Sequence, residues 1–286
     1  MEQQVSQRAT FHEAAVIARR LLTPGMVRLT FSGLDAFRST GIGDEYIRLF
    51  FRDPDTGTLP LPAIDADGRW TFPEEGPPVR YSTYTVRRFD AAACEMDVDF
   101  VVHEGGIASS WAQAAEPGDT IVINNPRGLY QPPEGHRWQV LLADATGLPA
   151  LARLIEQTPA HVASRVVVEV ADAAHVQALP AHPRLSVSTV HGRGNGVCAS
   201  CLEEAFALLP LPEGTGYVWM AGEQAAARRL RQSVKTMPAL GSARSKVVAY
   251  WIAHDGEGEA PAPVAALGEH LRAELAADWA HLLADG

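Results

Sequence analysis

The sequence predicts a two-domain β + α/β protein: an antiparallel β-barrel over residues 1–133, a parallel α/β sheet over 134–255, then a linker and C-terminal helix over 256–286. Three observations carry this expectation. The first half holds short runs of Val, Ile, Thr, Tyr and Phe broken by Pro- and Gly-rich turns. From Trp138 the texture changes to continuous apolar runs alternating with helical stretches, the pattern of a parallel sheet covered on both faces. Between the halves lies Gln131-Pro132-Pro133-Glu134-Gly135, a turn-rich joint.

In chain order, strands are expected from Phe11 to Arg20 and from Met26 to Ser32, separated by the turn Thr23-Pro24-Gly25. Glu45 to Arg52, Arg80 to Arg88, Glu95 to His103 and Asp119 to Asn125 add four more. One short helix, Ile107 to Ala115, follows Gly105-Gly106 and stops before Pro117-Gly118. Six strands and a helix make a small antiparallel barrel. In the second half, strands are expected at Trp138 to Ala143, Arg165 to Val170, Leu185 to Val190, Tyr217 to Ala221 and Lys246 to Trp251. Helices fall at Leu148 to Gln157, Cys201 to Leu209 and Gln224 to Lys235. Gly256 to Pro263 reads as a flexible linker, and Leu267, Leu271, Leu275 and Leu282-Leu283 form the apolar stripe of a last helix.

Composition narrows the function classes. A formal net charge of −10 on 286 residues argues against a nucleic-acid binder. No apolar run is long enough to cross a bilayer, Met1 to Thr10 is polar, and three cysteines suit a reducing compartment, so the expectation is a cytoplasmic protein without stable membrane insertion. Cys198 and Cys201 have a metal-like spacing, but Cys94 falls in the other half and the ten histidines show no ligand pattern; no metal site is expected.

Chemistry concentrates in Val79 to Arg88. Alternation puts Arg80, Ser82 and Tyr84 on one strand face and Thr85 and Arg87 on the other. A flat ring, hydroxyls and guanidinium groups at fixed spacing suit a flavin nucleotide, which needs a surface for its ring, a hydrogen bond near its reactive nitrogen and cations for its pyrophosphate. An ordinary strand with exposed arginines is the plain alternative. A glycine pair before a helix, as at Gly105-Gly106, favours a phosphate, since backbone N–H groups and the helix N-terminus both present positive charge. In the α/β half, ligands of such sheets bind at the carboxyl ends of the strands, which directs attention to Asp144-Ala145-Thr146-Gly147 and Gly222-Glu223.

These segments also carry a resemblance. Ser82-Thr83-Tyr84-Thr85-Val86-Arg87 resembles the Arg-x-Tyr-Thr-x-Arg flavin signature of the siderophore-interacting protein family, FAD-dependent ferric-siderophore reductases of ferredoxin-reductase-like fold. Met96 to Ala112 resembles that family's second FAD segment, and Pro117-Gly118-Asp119, Pro126-Arg127-Gly128, Asp144 to Pro149, Ala221-Gly222-Glu223 and Tyr250-Trp251 follow in the family's order. The resemblance implies a Greek-key FAD-binding barrel followed by an NAD(P)H-binding sheet. It implies FAD contacts from Arg80, Ser82, Tyr84, Thr85 (near flavin N5), Arg87, His103, Gly105, Gly106, Ala108, Ser109 and Trp111. Nucleotide contacts are implied for Asp144, Thr146, Gly222 and Glu223, and a flavin-covering aromatic at Trp251. No protein acid, base or nucleophile is expected, because the flavin carries the chemistry.

The chain departs from the pattern at Ser82, where the family has Arg, and at Ile252, where a basic residue is usual. Arg80, two residues earlier on the same face, is the expected substitute for the first. The implied substrate is a ferric siderophore and the implied donor NAD(P)H, with a carrier such as ferredoxin left open. An NAD(P)H:flavin or quinone reductase of the same fold and a non-catalytic siderophore-binding protein without FAD are the alternatives.

Overall fold

The computed structural model describes residues 11–65, 69–237, 240, 244–253 and 267–284. Met1 to Thr10, His254 and the Gly256 to Pro263 linker lie outside the described residues. The chain divides into two compact units, Met1–Gly128 and Leu129–Gly286.

The first unit is a curled antiparallel sheet. Its strands are β1 (Phe11–Thr23), β2 (Met26–Ser32), β3 (Tyr46–Phe51), β6 (Arg80–Thr85), β7 (Arg88–Asp90), β8 (Glu95–Val101) and β9 (Thr120–Asn124), in the order β6-β3-β9-β1-β2-β8-β7. A small hairpin, β4 (Ala63–Ile64) with β5 (Trp70–Thr71), stands apart from that sheet. The single strand expected from Arg80 to Arg88 is two. β6 pairs with β3, and after it Val86 N–H donates to Glu45 O at 2.9 Å. The next N–H, of Arg87, donates to Asp97 O at 2.9 Å, so the chain changes partner from β3 to β8 and brings the two ends of the sheet together.

Alternation along β2, β3 and β8 sends Leu29, Phe31, Ile47, Leu49, Val98 and Phe100 into one core. Helix α1 (Ile107–Ala114) packs on that core through Ala108 and Ala112, small residues that allow close approach.

The second unit is a five-stranded parallel sheet of β10 (Trp138–Ala143), β11 (Ala163–Val170), β12 (Leu185–His191), β13 (Gly216–Glu223) and β14 (Ser245–Trp251), ordered β12-β11-β10-β13-β14. β10 is buried along its whole length, as its unbroken apolar run requires of a central strand. On one face Trp138, Val140, Leu142, Val218 and Met220 share a core with α3 (Leu202–Leu208) and α4 (Gln224–Lys235). Helix α2 (Leu148–Gln157) packs against β10, leaving Leu141 and Trp219 to the face opposite that core.

The C-terminal stripe joins the α3 and α4 core as two helices, α5 (Glu269–Ala276) and α6 (Ala280–Leu283). Arg165 on β11 donates to the carbonyls of Glu274 at 3.0 Å and Ala277 at 3.1 Å, tying the end of α5 to the sheet.

Candidate functional site

In the first unit a cavity of about 450 Å³ opens where β3, β6 and the start of α1 meet. Phe51 and Arg52 line it from β3 and the residue after, Arg80 from β6, and Gly105, Gly106 and Trp111 from the α1 segment. Four of the residues singled out in the sequence, Arg80, Gly105, Gly106 and Trp111, thus share one cavity. The residue after β3, Arg52, adds a second cation that sequence reasoning missed; its only signal is its place at the end of Glu45 to Arg52.

Each member is held for a local reason. Arg80 lies opposite Phe51 in the β3–β6 register, with its Nε 3.5 Å from Asp53 Oδ2. Asp53 also accepts from the N–H and hydroxyl of Thr56, so its carboxylate is anchored without Arg80. Gly105 has φ +76°, a conformation that side chains disfavour. A Cβ on Gly106 would overlap the His103 ring. Gly106 is the N-cap of α1 and no side chain caps that terminus, so first-turn N–H groups are left without a side-chain acceptor. Trp111 stacks on Phe31 with an interplanar angle of 3° and meets Phe51 edge-on at 5.9 Å, which seats α1 on the core.

The other residues expected in the first unit are placed differently. Ser82 and Tyr84 share the β6 face of Arg80, on the same side as Leu49 and Ile47, but do not line the cavity. The Tyr84 ring lies 4.4 Å from Phe100, and burial pushes its hydroxyl up to about 12. Thr85 is 4% exposed and its Oγ1 has no hydrogen-bond partner, an orphaned polar atom of the kind a heteroatom of a bound group would satisfy. Arg87 contributes its backbone N–H to the β8 contact. Ser109 is turned inward: its hydroxyl accepts from His103 N–H at 2.9 Å and donates to His103 O at 2.8 Å, clasping the glycine loop. The Ala108 side chain is core. Ser109 and Ala108 therefore shape the α1 segment rather than present side-chain groups to the cavity.

In the second unit the carboxyl ends of β10, β13 and β14 converge on Asp144. Its Oδ1 accepts from Thr146 N–H at 2.9 Å and Thr146 Oγ1 at 2.6 Å, and its Oδ2 accepts from Trp251 Nε1 at 2.6 Å. Burial holds the Asp144 carboxyl above the usual range despite these donors. Asp144, Thr146, Gly222 and Trp251 are thus together, whereas the Glu223 side chain accepts from Ala226 N–H at 3.0 Å as the N-cap of α4. Two further residues join this cluster, Asn195 from the glycine-rich loop after β12 and Glu169 from β11. Asn195 Oδ1 accepts from Ala145 N–H at 2.8 Å, and its Nδ2 donates to Glu169 O at 3.1 Å. Glu169 is fully buried, its Oε1 accepts from Cys201 N–H, and its Oε2 has no partner.

A curled antiparallel sheet with an anion-favouring helix terminus, followed by a parallel sheet with a polar turn at its strand ends, is an arrangement suited to nucleotide cofactors. Residues 15–130 match the siderophore-interacting FAD-binding domain and residues 136–254 match the siderophore-interacting protein domain. A siderophore utilization protein from T. fusca is 34% identical, with a TM-score of 0.75 over 92% of this chain and 97% of that one. An uncharacterized protein of Mycobacterium tuberculosis is 35% identical over 257 residues, 84% of this chain and 89% of the relative. The NADPH-dependent ferric-chelate reductase of Escherichia coli is 36% identical over 156 residues, 54% of this chain and 59% of that protein. This chain belongs to the siderophore-interacting protein family, and its first unit carries that family's FAD-binding domain. Among the described residues no helix is long and apolar enough to cross a membrane, and no group of three metal-ligating side chains occurs.

Proposed function

We propose that this chain is a ferric-siderophore reductase: it takes electrons from NAD(P)H and reduces Fe(III) held by a siderophore, acting in the cytoplasm. The observation that carries the reading is the cavity where Arg80 faces the uncapped start of α1. Arg80, the backbone at Gly105 and Gly106, and the first-turn N–H groups of α1 would hold the FAD pyrophosphate, with Trp111 as apolar wall. Tyr84 would lie along the flavin ring, Thr85 Oγ1 would donate near N5, and Arg87 would add a cation. Bound FAD supplies what no side chain here can, acceptance of two electrons together and their release one at a time.

The domains follow the same reading: residues 1–133 bind FAD, 134–255 bind NAD(P)H, and 256–286 are the linker and C-terminal helices. Asp144 and Thr146 shape the turn that would receive the nucleotide, and Gly222 leaves room beside it for the Asp144 carboxylate. One NAD(P)H carries two electrons, so two Fe(III) become two Fe(II), with NAD(P)⁺ and one proton as the other products. Hard oxygen donors hold Fe(II) far less tightly than Fe(III), and reduction frees the metal. The relative from Escherichia coli, named as an NADPH-dependent ferric-chelate reductase, supports NADPH as donor.

The test is a visible spectrum of the purified protein with FAD, followed without oxygen on adding NADPH, NADH or reduced ferredoxin, and then a ferric siderophore. Bleaching by a nucleotide and recovery with the iron chelate is expected. Reduction by ferredoxin alone would replace the donor. A protein that takes up no FAD would overturn the reading in favour of siderophore binding without catalysis.

A further inference from the structure

The loop from β12 to α3 carries two thiols for which the nucleotide reading has no use. Cys198 and Cys201 are both free and stand three positions apart in the chain. Cys198 is partly exposed, and its Sγ donates to Gly192 O at 3.2 Å. Cys201 is buried as the N-cap of α3, where its side chain caps nothing and its N–H donates to Glu169 Oε1. A serine would cap that helix, and a small apolar residue would fill the space. A thiol beside a buried carboxylate does neither; burial and the Glu169 charge push the Cys201 thiol up, so it needs a base before it can react. Glu169 is that base: its Oε2 has no hydrogen-bond partner, and the burial that raises its carboxyl strengthens it as a proton acceptor.

The same loop holds the Asp144 turn. Asn195 has φ +56°, a conformation uncommon outside glycine, and its side chain makes two bonds across the sheet end. It accepts from Ala145 N–H at 2.8 Å and donates to Glu169 O at 3.1 Å. Gly192, Gly194 and Gly196 beside it also have positive φ. Cys201 is tied to Glu169 at the start of α3, so joining the two sulfurs draws Cys198 towards it and away from Gly192 O. The Cα atoms of a disulfide lie about 5.5–6 Å apart. The glycine loop, with Asn195 in it, takes up that movement.

Resting on the nucleotide reading of the Asp144 turn, we propose that Cys198 and Cys201 are a dithiol that a hydroperoxide oxidises to a disulfide, with Glu169 as proton acceptor, and that closure releases the Asn195 bridge and weakens nucleotide binding. Cys198, the accessible thiol, attacks a peroxide oxygen as its thiolate: an S–O bond forms, the O–O bond breaks, and the leaving hydroxide takes up the thiol proton as water. Cys201 then attacks the sulfenic sulfur while its proton passes to Glu169. The S–S bond forms, the S–O bond breaks, and the departing hydroxide leaves as water with that proton. Two thiols and one peroxide give one disulfide and two waters.

The test treats the FAD-loaded protein with hydrogen peroxide and maps its peptides by mass. A Cys198–Cys201 peptide lighter by about 2 Da, restored by dithiothreitol, is expected. Isothermal titration with NADP⁺, which cannot reduce the flavin, should show affinity falling roughly tenfold on oxidation and returning with dithiothreitol. Cys198→Ser should keep the reduced-state affinity under both conditions. Being partly exposed, that position keeps the test open even where Cys201→Ser fails to fold. In Glu169→Gln the Cys198 sulfenic acid, trapped with dimedone, should form at the wild-type rate while closure slows at least roughly tenfold.

No Cys198–Cys201 disulfide, or a disulfide that leaves NADP⁺ affinity unchanged, would overturn the proposal. Closure at the wild-type rate in Glu169→Gln would remove Glu169 from it. If the reduced protein binds no NADP⁺, the nucleotide reading falls and the coupling with it, whereas a mapped disulfide still upholds the dithiol.

Discussion

Trp251 at the end of β14 donates its indole N–H to Oδ2 of Asp144, which follows β10, across the intervening strand β13. Gly222 on β13 makes the reach possible, since a Cβ there would stand 2.9 Å from the same Oδ2. The bond fixes an aromatic ring at a strand end by means of a carboxylate that also shapes the Thr146 turn. Trp251→Phe removes the donor and keeps the ring, leaving a buried carboxylate oxygen one partner short. The expected cost is about 1–3 kcal/mol, read as a lower urea midpoint. An unchanged midpoint would show that water replaces the indole and that the bond is not structural.

Glu169 gives a pH prediction whose sign follows from burial. Burial raises its carboxyl above the usual range, outweighing the donors from Cys201 and Ser200, and nearby Asp144 pushes it the same way. A folded-state value above the unfolded one means that the stabilising contribution is complete below the unfolded pKa and is lost as pH rises through the folded one. Glu169→Gln keeps an acceptor for Cys201 N–H and cannot ionise. The thermal midpoint of the wild type should therefore fall relative to the variant on going from acid to neutral and alkaline pH. A difference that is flat across that range would refute the assignment.

The sequence was most informative where a single strand or turn decides the outcome. Trp138 to Ala143 is a central strand because all six residues can be buried, and Pro149 at the start of α2 suits a helix beginning at Leu148. The Arg80 to Arg88 run hid its break, because changing partner from β3 to β8 at Val86-Arg87 alters neither alternation nor propensity. The β4–β5 hairpin was missed because two-residue strands have no period to read. At the candidate site, Arg80 and the glycine pair were legible from local chemistry. Whether Ser109 faces a ligand or its own loop depends on one rotamer, and the meeting of Asp144 with Trp251 depends on strand order; neither is written in spacing.

Arg80 supplies a test of the first cavity. Its guanidinium lines the cavity but is not needed to hold Asp53, which Thr56 secures. Arg80→Ala should therefore leave the melting temperature nearly unchanged while FAD affinity drops roughly tenfold to a hundredfold, the range for a lost charge-assisted hydrogen bond. Quenching of flavin fluorescence during titration measures the affinity. Wild-type affinity in the variant would mean that Arg80 does not replace the cation missing at Ser82.

Gly147 isolates close packing from chemistry in the second unit. Its φ is −85°, which any residue can adopt, so backbone strain is not the reason for glycine. The constraint is space: an added Cβ would stand 2.7 Å from Ala221 O, 3.0 Å from the Ala143 Cβ and 3.1 Å from the Ala221 Cβ. Those atoms belong to the paired central strands β10 and β13, which have no flexible side chain to swing aside. Gly147→Ala must push the start of α2 off the sheet, and overpacking of this kind costs about 1–3 kcal/mol. The displaced Asp144–Gly147 turn should also weaken nucleotide binding, whereas FAD titration of the first unit should read as wild type. Differential scanning calorimetry with parallel FAD and NADPH titrations checks all three, and a variant as stable as the wild type would show that α2 can shift at no cost.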